Sequence, residues 1–239
     1  MSENNFLWRA KKKFRSAFFS AGRAIFGPDI IHRSRFAGWL NNKLVKLQDV
    51  LSPARRKQAK FEKNHPDMPW FAREAIPFIE KNLKPDYIGF EWGSGRSTVW
   101  FAKRIKHITS VEGRESWHNE VKKMLKKENI ENKVDLRLAK ISNEHNYSPI
   151  EVNNYVSQID NFKKFSLDVV TVDGHCRIPC LKNCLEKIKP GGMLILDNSD
   201  LPEFNEFHKI MKNIESKTFT NKIWETSVFF CPEKGFPKF

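Results

Sequence analysis

The sequence lacks a long apolar run, and this absence excludes proteins that cross a membrane with an apolar helix. No hydrophobic stretch approaches the roughly 20 residues that a membrane-spanning helix requires, so we expect no segment to cross a bilayer. The first residues also lack the apolar core and the small-residue cleavage site of a secretory signal. We therefore expect a cytoplasmic location.

Cysteine is scarce as well, with four residues in the chain. Three of them, Cys176, Cys180 and Cys184, recur every four residues, which on a helix stacks them along one face. Such neighbours cannot all pair with each other. We interpret them as small packing groups in a reducing compartment, with a metal or redox site as the alternative.

Acidic residues are rare in the first quarter of the chain. Residues 1–65 hold 15 lysines and arginines against 4 aspartates and glutamates, whereas residues 66–239 hold 27 against 24. A composition break of this kind favours two parts with different roles. We predict a basic helical extension over residues 1–65 and a catalytic domain over residues 66–239.

Apolar side chains in the extension recur at spacings of three and four between Phe6 and Ile25, which predicts an amphipathic helix. A second helix is predicted over residues 35–51. A basic amphipathic helix can lie peripherally on the anionic inner face of a membrane, pack on the enzyme body or neutralise a nucleic-acid backbone. Charge alone does not choose among these partners. A mitochondrial presequence is a weaker alternative for the same segment.

From Pro66 onward, short apolar runs alternate with amphipathic stretches of helix length. This pattern predicts an α/β fold with a doubly wound, mostly parallel seven-stranded sheet (Rossmann-like) and a terminal β-hairpin. A turn is predicted at residues 189–192. The predicted helices cover residues 70–83, 97–104, 114–127, 151–162, 179–188 and 203–215. The predicted strands cover residues 87–91, 107–111, 134–138, 167–172, 193–196, 217–220 and 224–230.

The sharpest motif is Glu91-Trp-Gly93-Ser-Gly95, which lies between the first predicted strand and a helix. Glycines at this point let the backbone turn tightly and approach a ligand. Glu112 follows about 20 residues after the first glycine, where a carboxylate binds a ribose diol in nucleoside-binding folds. An acid before the glycines, without a third glycine for a diphosphate, suits a ligand with an ammonium group. S-adenosylmethionine is such a ligand.

Three segments of the chain together resemble class I S-adenosylmethionine-dependent methyltransferases, particularly their small-molecule O-methyltransferase branch. These segments are residues 90–98, 110–117 and 168–198, and the likeness covers roughly residues 70–230. The resemblance implies S-adenosylmethionine as cofactor. It leaves the N-terminal extension outside the family's domain.

The resemblance also assigns cofactor contacts. Glu91, Gly93 and Gly95 would line the methionine part, and Glu112 would hold the ribose hydroxyls. Trp117 would lie near the adenine, unless it is a core residue of its own helix. The same pocket is expected to include further residues of the matching segments, namely Ser94, Ser97, Gly113 and Asp173.

Polar residues follow the fourth and fifth predicted strands, at the edge of the sheet that faces the ligand crevice. Their oxygens suit Mg²⁺ or a similar divalent cation. The pattern resembles the metal triad of catechol O-methyltransferase relatives, carried here by Asp173, Asp197 and Asn198. Those enzymes place a lysine base three residues after the first aspartate, where this chain has Cys176. His175 is the natural substitute as general base, with Asp173 as the other catalytic candidate.

The expected activity is therefore O-methylation of a hydroxyl on a small molecule or saccharide, including a lipid-linked glycan if the extension lies on a membrane. A ribose methyltransferase steered to nucleic acid by the extension is the first alternative. Base N-methylation is disfavoured, because Asp173-Gly-His-Cys stands where those enzymes commonly have Asn or Asp before Pro-Pro-aromatic. A non-enzymatic scaffold with a cofactor-binding fold is the second alternative.

Overall fold

The computed structural model describes residues 52–142 and 147–239. The predicted helices over residues 6–25 and 35–51 therefore lie outside the described residues. Residues 62–239 form one compact unit, and the division from the N-terminal unit falls within the first described helix, α1 (Pro53–Asn64). Among the described residues, none of the helices combines the length and apolarity needed to cross a membrane.

The strands of the compact unit form a single seven-stranded sheet in the order β3-β2-β1-β4-β5-β7-β6. β1 to β5 run parallel, and β7 is antiparallel to both of its neighbours, β5 and β6. This confirms the predicted doubly wound, mostly parallel sheet with a terminal hairpin. The strands are β1 (Ile88–Trp92), β2 (His107–Glu112), β3 (Val134–Leu138), β4 (Leu167–Val172), β5 (Ile188–Asp197), β6 (Ser216–Thr220) and β7 (Glu225–Phe230).

The helices of the compact unit are shorter than the periodicity predicts, except for the helix Glu115–Glu128, which has the predicted length of 14 residues. α2 begins at Ala75 and not at Trp70, which places Pro77 within the first turn, where the missing proline N–H is not needed. α5, α6 and α7 each end in a tighter 3₁₀ turn. After α1, the helices are α2 (Ala75–Asn82), α3 (Arg96–Ala102), α4 (Glu115–Glu128), α5 (Pro149–Val156), α6 (Arg177–Cys184) and α7 (Asn205–Ile210).

The predicted turn at residues 189–192 is wrong, because this segment belongs to β5. Leu167 pairs with Ile188 and Val169 pairs with Met193, so the segment forms a bulge against β4. The Gly191 N–H donates to the carbonyl of Cys231, a residue distant in sequence, over 2.8 Å. This long-range hydrogen bond keeps the glycine-containing segment in the sheet.

Buried side chains fill the space between the sheet and its helices. Cys180 and Cys184 are fully buried in this core, and burial raises the pKa of both thiols well above the ordinary value. All four cysteines of the chain are free. Their environment agrees with the interpretation as packing groups, because a buried thiol with a raised pKa is unreactive.

The strand order reverses between β1 and β4, and this reversal positions the candidate site. In an open parallel sheet, the connections after two such strands leave on opposite faces, and a crevice forms at their carboxyl ends. The Asp173 N–H, just after β4, donates to the carbonyl of Trp92 over 3.0 Å. The Gly93 N–H donates to the carbonyl of Val111 over 2.9 Å. The loops after β1, β2 and β4 therefore meet at one edge.

Candidate active site

The loop after β1 requires glycine at position 93. Gly93 has φ of +95°, and a Cβ built on it would lie 2.7 Å from the backbone nitrogen of Gly174. The loops after β1 and β4 thus touch backbone to backbone. The Gly95 N–H donates to Thr98 Oγ1 over 2.9 Å at the start of α3. A close backbone approach of this kind leaves room for a ligand above the two loops.

A cavity of about 350 Å³ opens above these loops. Its volume is within the range of small-molecule and cofactor pockets. The structure brings eight of the predicted site residues together in the cavity wall: Gly93, Ser94, Gly95, Ser97, Glu112, Trp117, Asp173 and His175. Glu91, Gly113, Asp197 and Asn198 are outside this wall, and each has a physical reason for its position.

Glu112 is a nearly buried carboxylate in the cavity wall. Its Oε2 accepts a hydrogen bond from the Ser94 hydroxyl over 3.0 Å, and its Oε1 accepts one from the Arg114 N–H over 2.8 Å. These two bonds fix the orientation of the carboxylate. Because each carboxylate oxygen accepts more than one hydrogen bond, Glu112 can also accept from a pair of ligand hydroxyls.

Two tryptophans form an aromatic wall on one side of the cavity. The Trp117 indole N–H donates to the carbonyl of Ser94 over 2.7 Å, so the ring is attached to the glycine loop. Trp70 stacks on Trp117, with ring centroids 6.1 Å apart and 20° between the planes. Trp70 is 47% exposed, which is unusual for so large an apolar ring. The pair gives the cavity a flat aromatic surface that remains open to a ligand.

Glu91 was expected to lie in the cavity wall. It lies instead behind the glycine loop. Its carboxylate is fully buried and accepts hydrogen bonds from Ser97 over 2.9 Å, from Ser110 over 2.8 Å and from Thr98. Burial raises its pKa to about 7, against the opposing effect of these hydroxyls. Because its oxygens are engaged inside the fold, Glu91 supports the loop from behind.

This burial predicts a pH effect on stability. A carboxyl with a folded pKa raised from 4.5 to about 7 contributes stability that is present below pH 4.5 and lost as the pH rises through about 7. Glu91→Gln removes the ionisation and keeps a group of similar size. As the pH rises from 4.5 to about 7, we expect the unfolding free energy of Glu91→Gln to increase relative to that of the wild type by up to about 3 kcal/mol.

Urea unfolding over a pH series measures this difference. Glu120→Gln is the matched control, because Glu120 is an exposed acid on α4. Its curve is expected to run parallel to that of the wild type. A Glu91→Gln curve that also runs parallel would contradict the assignment of a raised pKa to Glu91.

The three residues predicted to bind a divalent cation do not fit that role. The Arg177 guanidinium lies among them: its NH2 donates to Asp173 Oδ1 over 3.1 Å, and its NH1 donates to Asn198 Oδ1 over 2.9 Å. Asp197 Oδ1 accepts a hydrogen bond from the Thr226 hydroxyl. Arg177 thus takes side-chain oxygens of Asp173 and Asn198, and Thr226 takes one of Asp197, so oxygens that a metal would need are engaged within the protein.

His175 and Asp173, the two candidate bases, both line the cavity and lie against different neighbouring loops. A Cβ at Gly113 would lie 2.7 Å from Cδ2 of His175, so the imidazole packs on the loop after β2, with Gly113 behind it. Tyr147 Oη lies 3.5 Å from His175 Nδ1. The backbone of Asp173 instead lies against Gly93, at the ends of β1 and β4. Burial raises the pKa of Asp173 to about 6, while Arg177 opposes the shift.

Sequence reasoning missed five residues of the cavity wall: Trp70, Arg96, Arg114, Gly174 and Arg177. Arg177 is four residues after Asp173, a spacing that could have suggested an ion pair. Trp70 gives no comparable signal, because its position beside Trp117 depends on the packing of distant segments.

Comparison with known proteins supports the fold. No family model matches the sequence, and no curated protein matches it either. A solved methyltransferase from Geobacter sulfurreducens superposes with a TM-score of 0.52 at 12% identity, over 79% of this chain and 96% of the other. A provisionally described O-methyltransferase from Klebsiella pneumoniae gives 0.52 at 16% identity, over 81% and 96%.

A third structure, provisionally described as a caffeoyl-CoA O-methyltransferase from Staphylococcus aureus, gives a TM-score of 0.50 at 16% identity, over 80% of this chain and 99% of the other. Likenesses at such low identity establish architecture and not activity. The chain therefore has the Rossmann-like fold of class I S-adenosylmethionine-dependent methyltransferases.

Proposed function

We propose that this protein is an S-adenosylmethionine-dependent methyltransferase that methylates a hydroxyl oxygen of a small-molecule or saccharide acceptor. One observation carries the proposal: the Glu112 carboxylate, fixed by Ser94 and Arg114, faces a cavity whose neighbouring loop requires glycine at position 93. This arrangement suits a nucleoside ligand without phosphates, because the cavity offers a carboxylate for a ribose diol.

The cavity sets a direction for the bound cofactor. With the ribose hydroxyls on Glu112, the adenine would lie towards Trp117 and the loop after β2. The methionine part and its sulfonium would then extend towards Gly93 and Asp173. The carboxylate of Asp173 favours the positive charge of the sulfonium at this end. The cofactor supplies an activated methyl group, so the protein chiefly aligns the acceptor oxygen with it and removes a proton.

Asp173 is the better placed of the two bases. It lines the cavity beside Gly93, where the methyl group would be presented, whereas His175 packs on Gly113 at the ribose and adenine side. A carboxyl with a pKa near 6 is ionised at neutral pH and can accept a hydroxyl proton. His175 then contributes to the wall around the nucleoside.

The exposed aromatic surface does not select the acceptor class. Trp70 borders the cavity and presents part of its ring to solvent. Because Trp70 stacks on Trp117, at the adenine end, and Arg96 lies over its ring, this surface does not mark the acceptor, and the proposed acceptor class rests on the sequence resemblance. The comparisons add no argument for a particular acceptor, because they establish only the fold.

The activity is tested by incubating the full chain with methyl-labelled S-adenosylmethionine and separate pools of saccharides, phenols and ribonucleic acid. We expect label in a saccharide or phenol as an ether, which resists alkali. Label in ribose 2′-oxygens would instead support the nucleic-acid alternative. Cofactor binding without transfer to any pool would favour a scaffold and contradict the proposed activity.

Membrane attachment through residues 1–65 is proposed from the apolar spacing between Phe6 and Ile25, which predicts an amphipathic helix, together with the excess of 15 basic over 4 acidic residues in this segment. We expect the full chain to sediment with vesicles that contain anionic lipid and to be released by salt. A chain without residues 1–65 should remain in the supernatant. Equal sedimentation of both chains would contradict the attachment role.

A further inference from the structure

The Arg177 guanidinium is fully hydrogen-bonded inside the polar cluster next to the cavity. Its Nε donates to the Gly174 carbonyl over 2.9 Å, NH1 donates to the Asp197 carbonyl over 2.7 Å, and NH2 donates to the Asp173 carbonyl over 3.1 Å. The side chains of Asp173 and Asn198 accept the two remaining bonds. Because a guanidinium has five N–H donors, these five acceptors use its whole capacity.

The positive charge of Arg177 also acts on two neighbouring carboxyls, those of Asp173 and Asp197. Asp173 and Asp197 are close enough that the charge of Asp173 raises the pKa of Asp197, in addition to the larger effect of burial. Arg177 lowers the pKa of both carboxyls. A planar, permanently charged fork satisfies several fixed oxygens at once, which a lysine ammonium cannot reproduce.

We propose that Arg177 replaces a divalent cation in this protein: its guanidinium bridges the Asp173 carboxylate, the Asp197 backbone carbonyl and the Asn198 amide oxygen, holds Asp173 in place and makes the site independent of metal. This inference rests on the proposed function for its catalytic meaning. Arg177 is a positioning residue, because its donors are already used and none remains for the acceptor. One carboxylate oxygen of Asp173, Oδ1, accepts a hydrogen bond from Arg177, and Asp173 is one of the residues that line the cavity.

Methyl transfer in this scheme needs no metal ion. The acceptor oxygen forms a bond to the methyl carbon as the bond between that carbon and sulfur breaks, and the electron pair of the broken bond remains on sulfur. The sulfonium thereby becomes the neutral thioether of S-adenosylhomocysteine. The acceptor proton passes to the Asp173 carboxylate, which Arg177 holds towards the cavity.

The test is a titration of the full chain with Mn²⁺, followed by electron paramagnetic resonance. We expect no ion bound at this cluster in the wild type. Arg177→Ala removes the guanidinium and leaves its space and the oxygens of the cluster available, so we expect it to gain one Mn²⁺ per chain, displaced by Mg²⁺. The double variant Arg177→Ala/Asp197→Asn should lose the gained ion.

A wild-type ion that disappears in Asp197→Asn would overturn the proposal, and so would an Arg177→Ala variant that folds but gains no ion. If Arg177→Ala does not fold, the wild type and Asp197→Asn decide the question alone: an ion lost on substitution overturns the proposal, and no ion supports it. Arg177→Lys adds a separate readout, because it keeps the charge without the fork. We expect it to bind no ion and to melt at a lower temperature, and an unchanged melting temperature would contradict the bridging role.

Calorimetry with S-adenosylmethionine on the same samples separates this inference from the proposed function. A gained Mn²⁺ in a protein that does not bind S-adenosylmethionine would support the replacement of the cation and contradict the methyltransferase. Binding of S-adenosylmethionine by a wild type that also holds a metal at Asp197 would support the methyltransferase and contradict the replacement of the cation.

Discussion

Glu112→Ala is expected to lower the affinity for S-adenosylmethionine by about 100-fold or more, because the variant loses charge-assisted hydrogen bonds to both ribose hydroxyls, each contributing roughly 1.5–3 kcal/mol. The carboxylate is nearly buried and already oriented by Ser94 and Arg114. Water therefore compensates little for its loss. Titration calorimetry of the wild type and the variant measures the change.

Two controls keep this result interpretable. Glu120→Gln removes an acid from the exposed face of α4 and should leave the affinity unchanged. Thermal unfolding of Glu112→Ala without ligand shows whether the loss of the Ser94 and Arg114 hydrogen bonds alters the fold. A folded Glu112→Ala protein with wild-type affinity would remove Glu112 from the cofactor site.

Asp173→Asn is expected to lower the rate of methyl transfer by about 10²- to 10⁴-fold, the usual contribution of a general base. Asparagine keeps the shape and one oxygen for Arg177, so the affinity for S-adenosylmethionine should change much less. The wild-type rate should rise as the pH increases through about 6, because burial raises the pKa of Asp173 to that value and the base acts when ionised. Initial rates of labelled methyl transfer measure both effects.

His175→Gln is the matched comparison for this prediction. Because the imidazole packs on Gly113, beside Glu112, its replacement should weaken cofactor binding more than it slows transfer. The opposite pattern, in which Asp173→Asn transfers methyl normally and His175→Gln does not, would assign the base to His175.

The fold was largely predictable from the sequence, since short apolar runs and amphipathic stretches alternate along the catalytic domain. β3 and β4 have the predicted bounds. The segment at residues 189–192 was not predictable, because its place in β5 depends on a hydrogen bond to Cys231, which lies far away in the sequence. The local signals of proline and two glycines favoured a turn, and long-range pairing outweighed them.

The site was predictable where it depends on strand ends and less so where it depends on side-chain direction. Parallel strands bring Gly93, Glu112 and Asp173 to one edge of the sheet, so their convergence follows from topology. The direction of Glu91 depends on Ser110, its register partner on β2, which donates a hydrogen bond to it inside the fold. The sequence alone does not show that Ser110 lies beside Glu91, because this pairing depends on the register between β1 and β2.

The identity of the cation at the Asp173, Asp197 and Asn198 cluster was not predictable for a related reason. Asp173, Asp197 and Asn198 do converge, but a pattern of oxygen ligands cannot show which cation they bind. Arg177 begins α6 directly after the loop that follows β4, and its side chain reaches back into the cluster. Where carboxylates meet at the ends of neighbouring strands, an arginine close by is therefore as good a candidate for the bound cation as a metal ion.

The central claim is that the cavity at the carboxyl ends of β1, β2 and β4 binds a sulfonium nucleoside. A crystal structure of the full chain with S-adenosylhomocysteine tests it most directly. The account predicts both ribose hydroxyls within hydrogen-bond distance of the Glu112 carboxylate and the sulfur beside Gly93 and Asp173. A ligand bound elsewhere, or in this cavity with its ribose away from Glu112, would contradict it.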